Sequence, residues 1–180
     1  MQAAKIVEIL SCEQALEVLH RLVAKGGDIA DAVAAEAVEL LSEVNREEVA
    51  KEVYLMLDSI DVQDCWDRAG KHRHGYVHED DVAYELIEEV LRPFDDQIAQ
   101  YRQSEMDIQE MRYTQGVVVG LYRYHKESGS EFKDWCVDLP ESFAEDIMQS
   151  WCKRNINNPK VLEAMAAYLE DCCSDWEMLC

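Results

Sequence analysis

The chain has 180 residues, a length that suits one domain and can bury a hydrophobic core without disulfides or metals. Hydrophobic residues make up 48%, which excludes the composition of a disordered chain. The 17 Lys and Arg against 38 Asp and Glu give a net charge of −21, which would repel phosphate backbones and anionic membranes. We therefore expect neither nucleic-acid nor membrane binding, and the charged partner that such a chain could attract is a basic protein.

Helix-start signals recur at even spacing early in the chain. A capping box begins at Ser11, Asp28 follows two glycines that can end the preceding helix, and Asn45 begins a second box. Each cap opens a run in which apolar residues recur at steps of three and four, as on one face of an amphipathic helix. Regular helix pairs are therefore predicted over residues 1–60.

The helical pattern continues less regularly over residues 61–180. The predicted helices cover approximately residues 62–68, 78–101, 106–125, 130–136, 141–154 and 158–176. Pro93 should kink or split the long second one, because proline removes a backbone hydrogen bond and clashes with the preceding turn. No hairpin dipeptide separates alternating runs, so no strand is predicted.

These patterns predict an all-α fold of about eight helices, a HEAT-like α-helical repeat stack of antiparallel helix pairs. Helices with one apolar stripe each, joined by short turns, bury those stripes by packing side by side. The caps recur every 17 residues, so a two-helix unit of about 34 residues falls within the range of helical solenoid repeats. We predict a single domain over residues 1–180.

The cysteines and the apolar runs bear on the cellular compartment. The seven cysteines are scattered and none forms C-x-x-C, which favours reduced, intracellular thiols. No apolar run approaches the roughly 18 residues of a membrane span, and the N-terminus has the pattern of a helix rather than a signal peptide. The sequence thus predicts a cytoplasmic protein.

Fingerprints of common enzyme classes are missing from the sequence. There is no G-x-x-x-x-G-K-[ST], no G-x-G-x-x-G and no G-x-S-x-G. His78-Glu79 begins like a zincin motif, but Val82 stands where its second histidine is needed. Glu17 and His20 supply only half of a di-iron ligand set. We predict a non-enzymatic protein without a cofactor.

The segment GKHRHGYVHEDD at residues 70–81 is the strongest candidate for a metal site. His72 and His74 could chelate one ion if the segment is extended, because residues i and i+2 then point the same way. Imidazole with carboxylate suits zinc and similar ions. The further candidate ligands are His78, Glu79, Asp80, Asp81 and Cys65. We favour a polar loop whose acidic residues complement the positive end of the next helix.

Aromatic residues are densest between residues 113 and 151, interleaved with acidic ones. The tyrosines and tryptophans Tyr113, Tyr122, Tyr124, Trp135 and Trp151 are expected to fill the core, with a concave binding surface as the alternative. An acidic rim around aromatic anchors would suit a basic, partly apolar segment of a partner. The candidate partner-binding residues are Tyr113, Tyr124, Glu131, Asp134, Trp135 and Asp138.

One glycine pair lies inside a predicted helix. Gly116 and Gly120 are four residues apart and so share one helix face. Each costs roughly 1 kcal/mol relative to alanine in a helix. Close approach of a second helix is the expected compensation.

Two stretches carry a family resemblance: DCWDRAGKHRHGYVHEDDVAYELIEEVLRPF and GLYRYHKESGSEFKDWCVDLPESFAEDIMQSW. They resemble the helical region that accompanies SWIM zinc fingers in some prokaryotic proteins. The matching positions are 73–76, 92–94, 120–124 and 134–140, within about residues 60–155. The resemblance implies a HEAT-like helical module and no catalytic residues. The SWIM motif itself, C-x-C followed by C-x-H, is absent from this sequence.

The sequence therefore favours a helical scaffold or protein–protein interaction module. Two alternatives stay open: a metal-binding protein that uses His72, His74 and His78, and an acidic mimic of DNA that occupies a basic protein.

Overall fold

The computed structural model describes residues 6–72 and 75–176, and the side chains of residues 40–42 and 72 lie outside that description. Over this part of the chain there are nine helices and one short two-stranded hairpin. The helices are α1 Cys12–Val23, α2 Gly27–Ser42, α3 Arg46–Asp58, α4 Val62–Arg68, α5 Glu79–Gln103, α6 Asp107–Glu127, α7 Glu131–Trp135, α8 Leu139–Asn155 and α9 Pro159–Cys172. The predicted all-α class is confirmed.

The chain divides into two compact units between Glu43 and Val44. In the first unit α1 packs against α2. The predicted capping box is present at the start of α1: Ser11 Oγ accepts from the Gln14 backbone N–H at 3.2 Å, and the Gln14 side chain accepts from the Ser11 N–H at 3.0 Å. Asp28 lies within the first turn of α2 rather than capping it, because the left-handed Gly26 takes the N-cap position.

The second unit is a stack of helices around α6, which packs against α3, α5, α8 and α9. Every residue from 114 to 121 is buried, so this stretch of α6 is covered on all sides. Its most extensive partner is α3, which begins at the predicted cap: Asn45 Oδ1 accepts from the N–H of Glu47 at 3.1 Å. The fully buried side chains of Leu57, Leu121 and Trp151 help to form this core.

Gly116 and Gly120 allow the backbone of α6 to approach the side chains and the backbone of α3 closely. A Cβ added at Gly116 would lie 2.7 Å from the Val49 Cβ, and one at Gly120 would lie 2.6 Å from the Val53 Cβ. These separations are too short for real carbon atoms. The prediction that the glycine pair marks a close helix contact is confirmed.

Several expectations need correction. The segment predicted as a loop contains a hairpin, β1 Gly70–His72 with β2 Gly75–Val77, in which His72 is opposite Gly75. Two glycines of the hairpin, Gly70 and Gly75, have left-handed φ angles of 104° and 144°, a conformation that other residues rarely adopt. Pro93 does not split α5, which runs through it. Cys152 is disulfide-bonded, whereas Cys12, Cys65, Cys136, Cys172 and Cys173 are free.

The regular helix pairs predicted over residues 1–60 extend across the division between the two units. The helix expected to close the regular N-terminal part is α3, and it packs on α6 in the second unit. No helix of the described residues is both long enough and apolar enough to cross a membrane.

Candidate protein-interaction surface

Two tryptophans from different helices meet at the surface of the second unit. The rings of Trp66 in α4 and Trp135 in α7 lie edge to face, with centroids 6.2 Å apart. Their exposed fractions are 41% and 47%. We call Trp66 and Trp135 the tryptophan pair. Large aromatic side chains that remain this exposed are unusual in a core-forming role and common at protein interfaces.

The local sequence of α4 explains why Trp66 points outward. Asp61 caps this short helix by accepting from the Gln63 N–H at 2.9 Å. Val62 and Cys65 are buried, and α4 packs against α5. A helix that turns Cys65 inward directs the next residue about 100° away, so Trp66 projects from the rim of the buried face.

The position of α7 is set by a small polar network at its start. Ser130 caps α7 by accepting from the Lys133 N–H at 3.2 Å. Ser128 Oγ donates to Asp58 at the end of α3 at 2.5 Å, and Lys133 Nζ donates to the Ser128 carbonyl at 2.9 Å. Phe132 is fully buried and anchors the helix. With one face of α7 fixed in this way, Trp135 stays at the surface.

Acidic side chains outnumber basic ones around the tryptophan pair. The exposed carboxylates on the two helices and the turn after α7 are Asp64, Asp67, Glu131, Asp134 and Asp138. Of the cations on these helices, Arg68 forms an ion pair with Glu89 at 3.1 Å, and Lys133 is held by Ser128. The surroundings of the pair therefore carry net negative charge.

The predicted partner-binding residues separate into a surface group and a core group. Glu131, Asp134, Trp135 and Asp138 are exposed. Tyr124, by contrast, is fully buried, and its hydroxyl lies 3.2 Å from the Ser130 Oγ. Burial raises the pKa of Tyr124 to about 12. A side chain enclosed in this way belongs to the core and presents no surface to a partner.

Tyr113 also serves the core. Its ring lies 6.4 Å from the Phe94 ring and 5.6 Å from the Tyr101 ring, between α5 and α6. Desolvation, followed by the charge of Glu52, raises the pKa of Tyr113 to about 12. The expectation of a core role thus holds for Tyr113 and Tyr124 and fails for Trp135.

Sequence reasoning overlooked Trp66. The available signal was its setting in DCWDR, where acidic residues flank a tryptophan in a helix too short to bury both faces. Nothing in the sequence indicated that residues 66 and 135, so far apart along the chain, would meet. Their contact follows from the packing of the second unit.

Part of the histidine-containing segment, residues 70–81, lies within the described residues. His74 lies outside the described residues, as does the side chain of His72. His78 is exposed, with its ring 5.0 Å from the Tyr76 ring. Within the described ranges, no group of three His, Cys, Asp or Glu residues is arranged to hold a metal ion. The metal hypothesis, which depends on His72 and His74, stays a prediction.

Cys65 is a poor candidate ligand. Its side chain is buried, and its Sγ donates to the Glu79 carbonyl at 3.4 Å. Desolvation raises the pKa of its thiol, with further contributions from the charges of Glu79 and Asp80. Metal ions bind the thiolate, and a raised pKa disfavours that form.

A scan against protein-family models, a search of the curated proteins and a search of the solved structures each found no match for this chain. The resemblance to the helical region beside SWIM zinc fingers accordingly stays a prediction from the sequence.

Proposed function

We propose that this chain is a non-enzymatic interaction module that binds a basic, partly apolar segment of a partner protein at the tryptophan pair. The observation that carries the proposal is the edge-to-face contact of two exposed tryptophans within an acidic surround. The HEAT-like character of the stack and a cytoplasmic location belong to the same proposal. They rest on the sequence patterns and on the family resemblance.

The aromatic part of this surface would supply most of the affinity. Trp66 and Trp135 keep more than two fifths of their surface open to solvent, so a partner can still remove that area from water. Burial of apolar area is worth roughly 25 cal/mol per Å². Tryptophan also attracts Lys and Arg over its ring face, which contributes about 0.5–2 kcal/mol per contact. A segment with a basic residue beside an apolar one would use both effects.

The acidic residues around the tryptophan pair would increase the rate at which a basic partner associates with this surface. Glu131, Asp134 and Asp138 are exposed, and charges in that situation act mainly on the association rate. Their influence extends about 10 Å at 0.1 M salt. Binding should therefore weaken as salt rises, through a slower association more than a faster dissociation.

The experiment compares partner capture by matched variants. Wild-type protein, Trp66→Ser/Trp135→Ser, Glu131→Lys/Asp134→Lys and the control Glu163→Lys/Glu170→Lys are immobilised. Glu163 and Glu170 are exposed residues of α9, so the control carries the same charge change on another helix. Proteins that are captured from a native extract are quantified, and each candidate is then produced alone for kinetic measurement.

We expect the tryptophan variant to lose the specific partner through faster dissociation, and the Glu131/Asp134 variant to slow its association. The control should retain binding. If both pairs of acidic substitutions reduced capture equally and the tryptophan substitutions did not, the result would contradict this proposal. It would favour the alternative that the chain is an acidic mimic of DNA. A partner that binds all four proteins alike would refute both.

A further inference from the structure

A separate groove runs between α5 and α8 with α6 as its floor. Its volume is about 350 Å³. The lining residues on α5 extend from Tyr84 to Arg102, a span of about 27 Å at 1.5 Å per residue. Those on α8 extend from Phe143 to Arg154. Because a volume of about 350 Å³ extends along about 27 Å of α5, the groove is narrow and elongated rather than a compact pocket.

Contacts at the two ends show that α5 and α8 run parallel. At one end the rings of Tyr84 and Phe143 stack with centroids 4.6 Å apart. At the other end Arg154 of α8 pairs with Glu110 at 3.1 Å in the first turn of α6, which follows directly after the end of α5. The two walls therefore present their residues in the same order along the groove.

That order separates the charges of the groove. The aromatic end is followed by the carboxylates of Glu88, Asp95 and Asp146. The far end carries Arg102 and Arg154. Arg154 is already neutralised by Glu110, whereas Arg102 and the three carboxylates form no ion pair with any other described residue. The groove thus offers unpaired negative charge in its middle and an unpaired positive charge at one end.

Between these charges the groove is lined by Ile98 of α5, which is 6% exposed, and by the fully buried Thr114 of α6. The Thr114 hydroxyl donates to the Glu110 carbonyl at 2.8 Å, so it has no donor left for a ligand. Any bound group would therefore rest on the floor by apolar contact and be oriented by the charges of the walls.

The surroundings of Asp95 disfavour the charged form of its carboxyl group. Desolvation raises its pKa, with added repulsion from the charges of Asp96 and Glu88. An arriving cation would relieve that repulsion. This supports a cationic group at the middle of the groove and agrees with the geometry.

From this order of charges we infer that the groove binds an extended peptide with a basic side chain opposite Glu88, Asp95 and Asp146 and an acidic group opposite Arg102. An extended chain rises about 3.3 Å per residue, so about eight residues would fill the groove. Arg102 lies about 10 Å from Asp95 and about 21 Å from Glu88 along α5. The basic and acidic positions of the peptide should therefore be three to six residues apart.

The test is a selection from a random octapeptide library displayed on phage, with the full chain as bait. The strongest peptide is then made with a fluorescent label, and its affinity is measured by anisotropy against four proteins. These are the wild type, Glu88→Lys/Asp146→Lys, Arg102→Glu and the control Glu85→Lys/Glu145→Lys. The control residues are exposed on the same two helices, lie outside the groove lining and give the same change of charge. Circular dichroism checks that each variant is folded.

We expect enriched peptides with Lys or Arg three to six positions from Asp or Glu. The groove variants should each weaken binding by about tenfold or more, and the control by less than about threefold. A second peptide carries alanine in place of its acidic residue. Arg102→Glu should no longer weaken the binding of this peptide, whereas Glu88→Lys/Asp146→Lys should still weaken it. The absence of enriched peptides, or binding that the control variant weakens as much as the groove variants do, would overturn the inference. Because the tryptophan pair is untouched, this outcome is independent of the function proposed above.

Discussion

Gly116 of α6 lies so close to Val49 of α3 that a methyl group on the glycine would stand 2.7 Å from the valine Cβ and 2.9 Å from the Arg46 carbonyl oxygen. Gly120 meets Val53 and the Ala50 carbonyl oxygen in the same way one turn later. Two successive turns of α6 thus approach the backbone of α3. The distance between these helices depends on the absence of two side chains.

Alanine at Gly116 or Gly120 should therefore destabilise the fold. The added carbon meets backbone oxygen as well as side chain, and backbone cannot move aside locally. We expect a loss of about 1–3 kcal/mol in unfolding free energy for each, even though alanine favours the helical state. Urea unfolding followed by circular dichroism measures it. Gly129→Ala is the control, since nothing lies within 4 Å of its added carbon, and it should stay within about 0.5 kcal/mol. Stabilisation by Gly116→Ala would contradict the close contact.

The ion pair between Glu110 and Arg154 should matter more than those at the surface. The Glu110 side chain is only 6% exposed, against 33% for Arg154. Arg154→Met would leave a carboxylate with little access to water, at a cost of about 2 kcal/mol. Removing both charges in Glu110→Gln/Arg154→Met should cost less than the sum of the single changes. Lys126→Met, which breaks a more exposed pair with Asp175, should cause a clearly smaller loss. Additive effects at Glu110 and Arg154 would show that the pair is not coupled.

Stability should fall in alkaline solution. Burial raises the pKa of Cys136 and Cys173 to about 12 from 9.0, and that of Tyr124 to about 12 from 10.0. The unfolded chain therefore releases these protons at lower pH than the folded one. Their contribution is fully present below about pH 9 and is lost as the pH rises from 9 towards 12. Urea unfolding between pH 8 and 11 measures this loss. Tyr124→Phe should flatten the curve above pH 10, and an unchanged slope would contradict the assigned burial effect.

The histidine hypothesis has a direct test in metal content. If residues 70–81 form only a polar hairpin and helix start, the purified protein should contain well under one zinc, nickel or iron per chain. His72→Ala/His74→Ala should then leave the melting temperature within about 2 °C. Elemental analysis and thermal unfolding provide both numbers. Stoichiometric metal that disappears in the double variant would promote the metal-binding alternative.

The helices that local signals define were the most predictable part of the fold. Ser11, Asn45 and Ser130 cap helices as expected because a cap needs only residues within three or four positions along the chain. The glycine pair was predictable for a related reason: Gly116 and Gly120 must share a face in any helix. Such inferences depend on the 3.6-residue period and on no tertiary contact.

The parts that failed depend on neighbours far along the chain. The hairpin beside His72 lacks a strong turn dipeptide and pairs only three residues per strand. Trp135 was expected in the core because tryptophan side chains are usually largely buried. However, α7 has only five residues and buries one large side chain, that of Phe132. The meeting of Trp66 with Trp135, and the groove between α5 and α8, arise from the arrangement of helices around α6. No periodic pattern within one helix encodes that arrangement.

The burial of residues 114–121 within α6 also has a consequence for the synthesis of this protein. Residues 114–121 are synthesised before α8 and α9, which pack against α6. At a translation rate of about 5–20 residues per second, the interval to residue 172 is about 3–10 seconds. In a released chain that ends near residue 135, α3 and α5 can shield one side of α6, while the other side stays open to water. Such a truncated chain should therefore bind chaperones that recognise apolar segments, and a chain that extends past α9 should not.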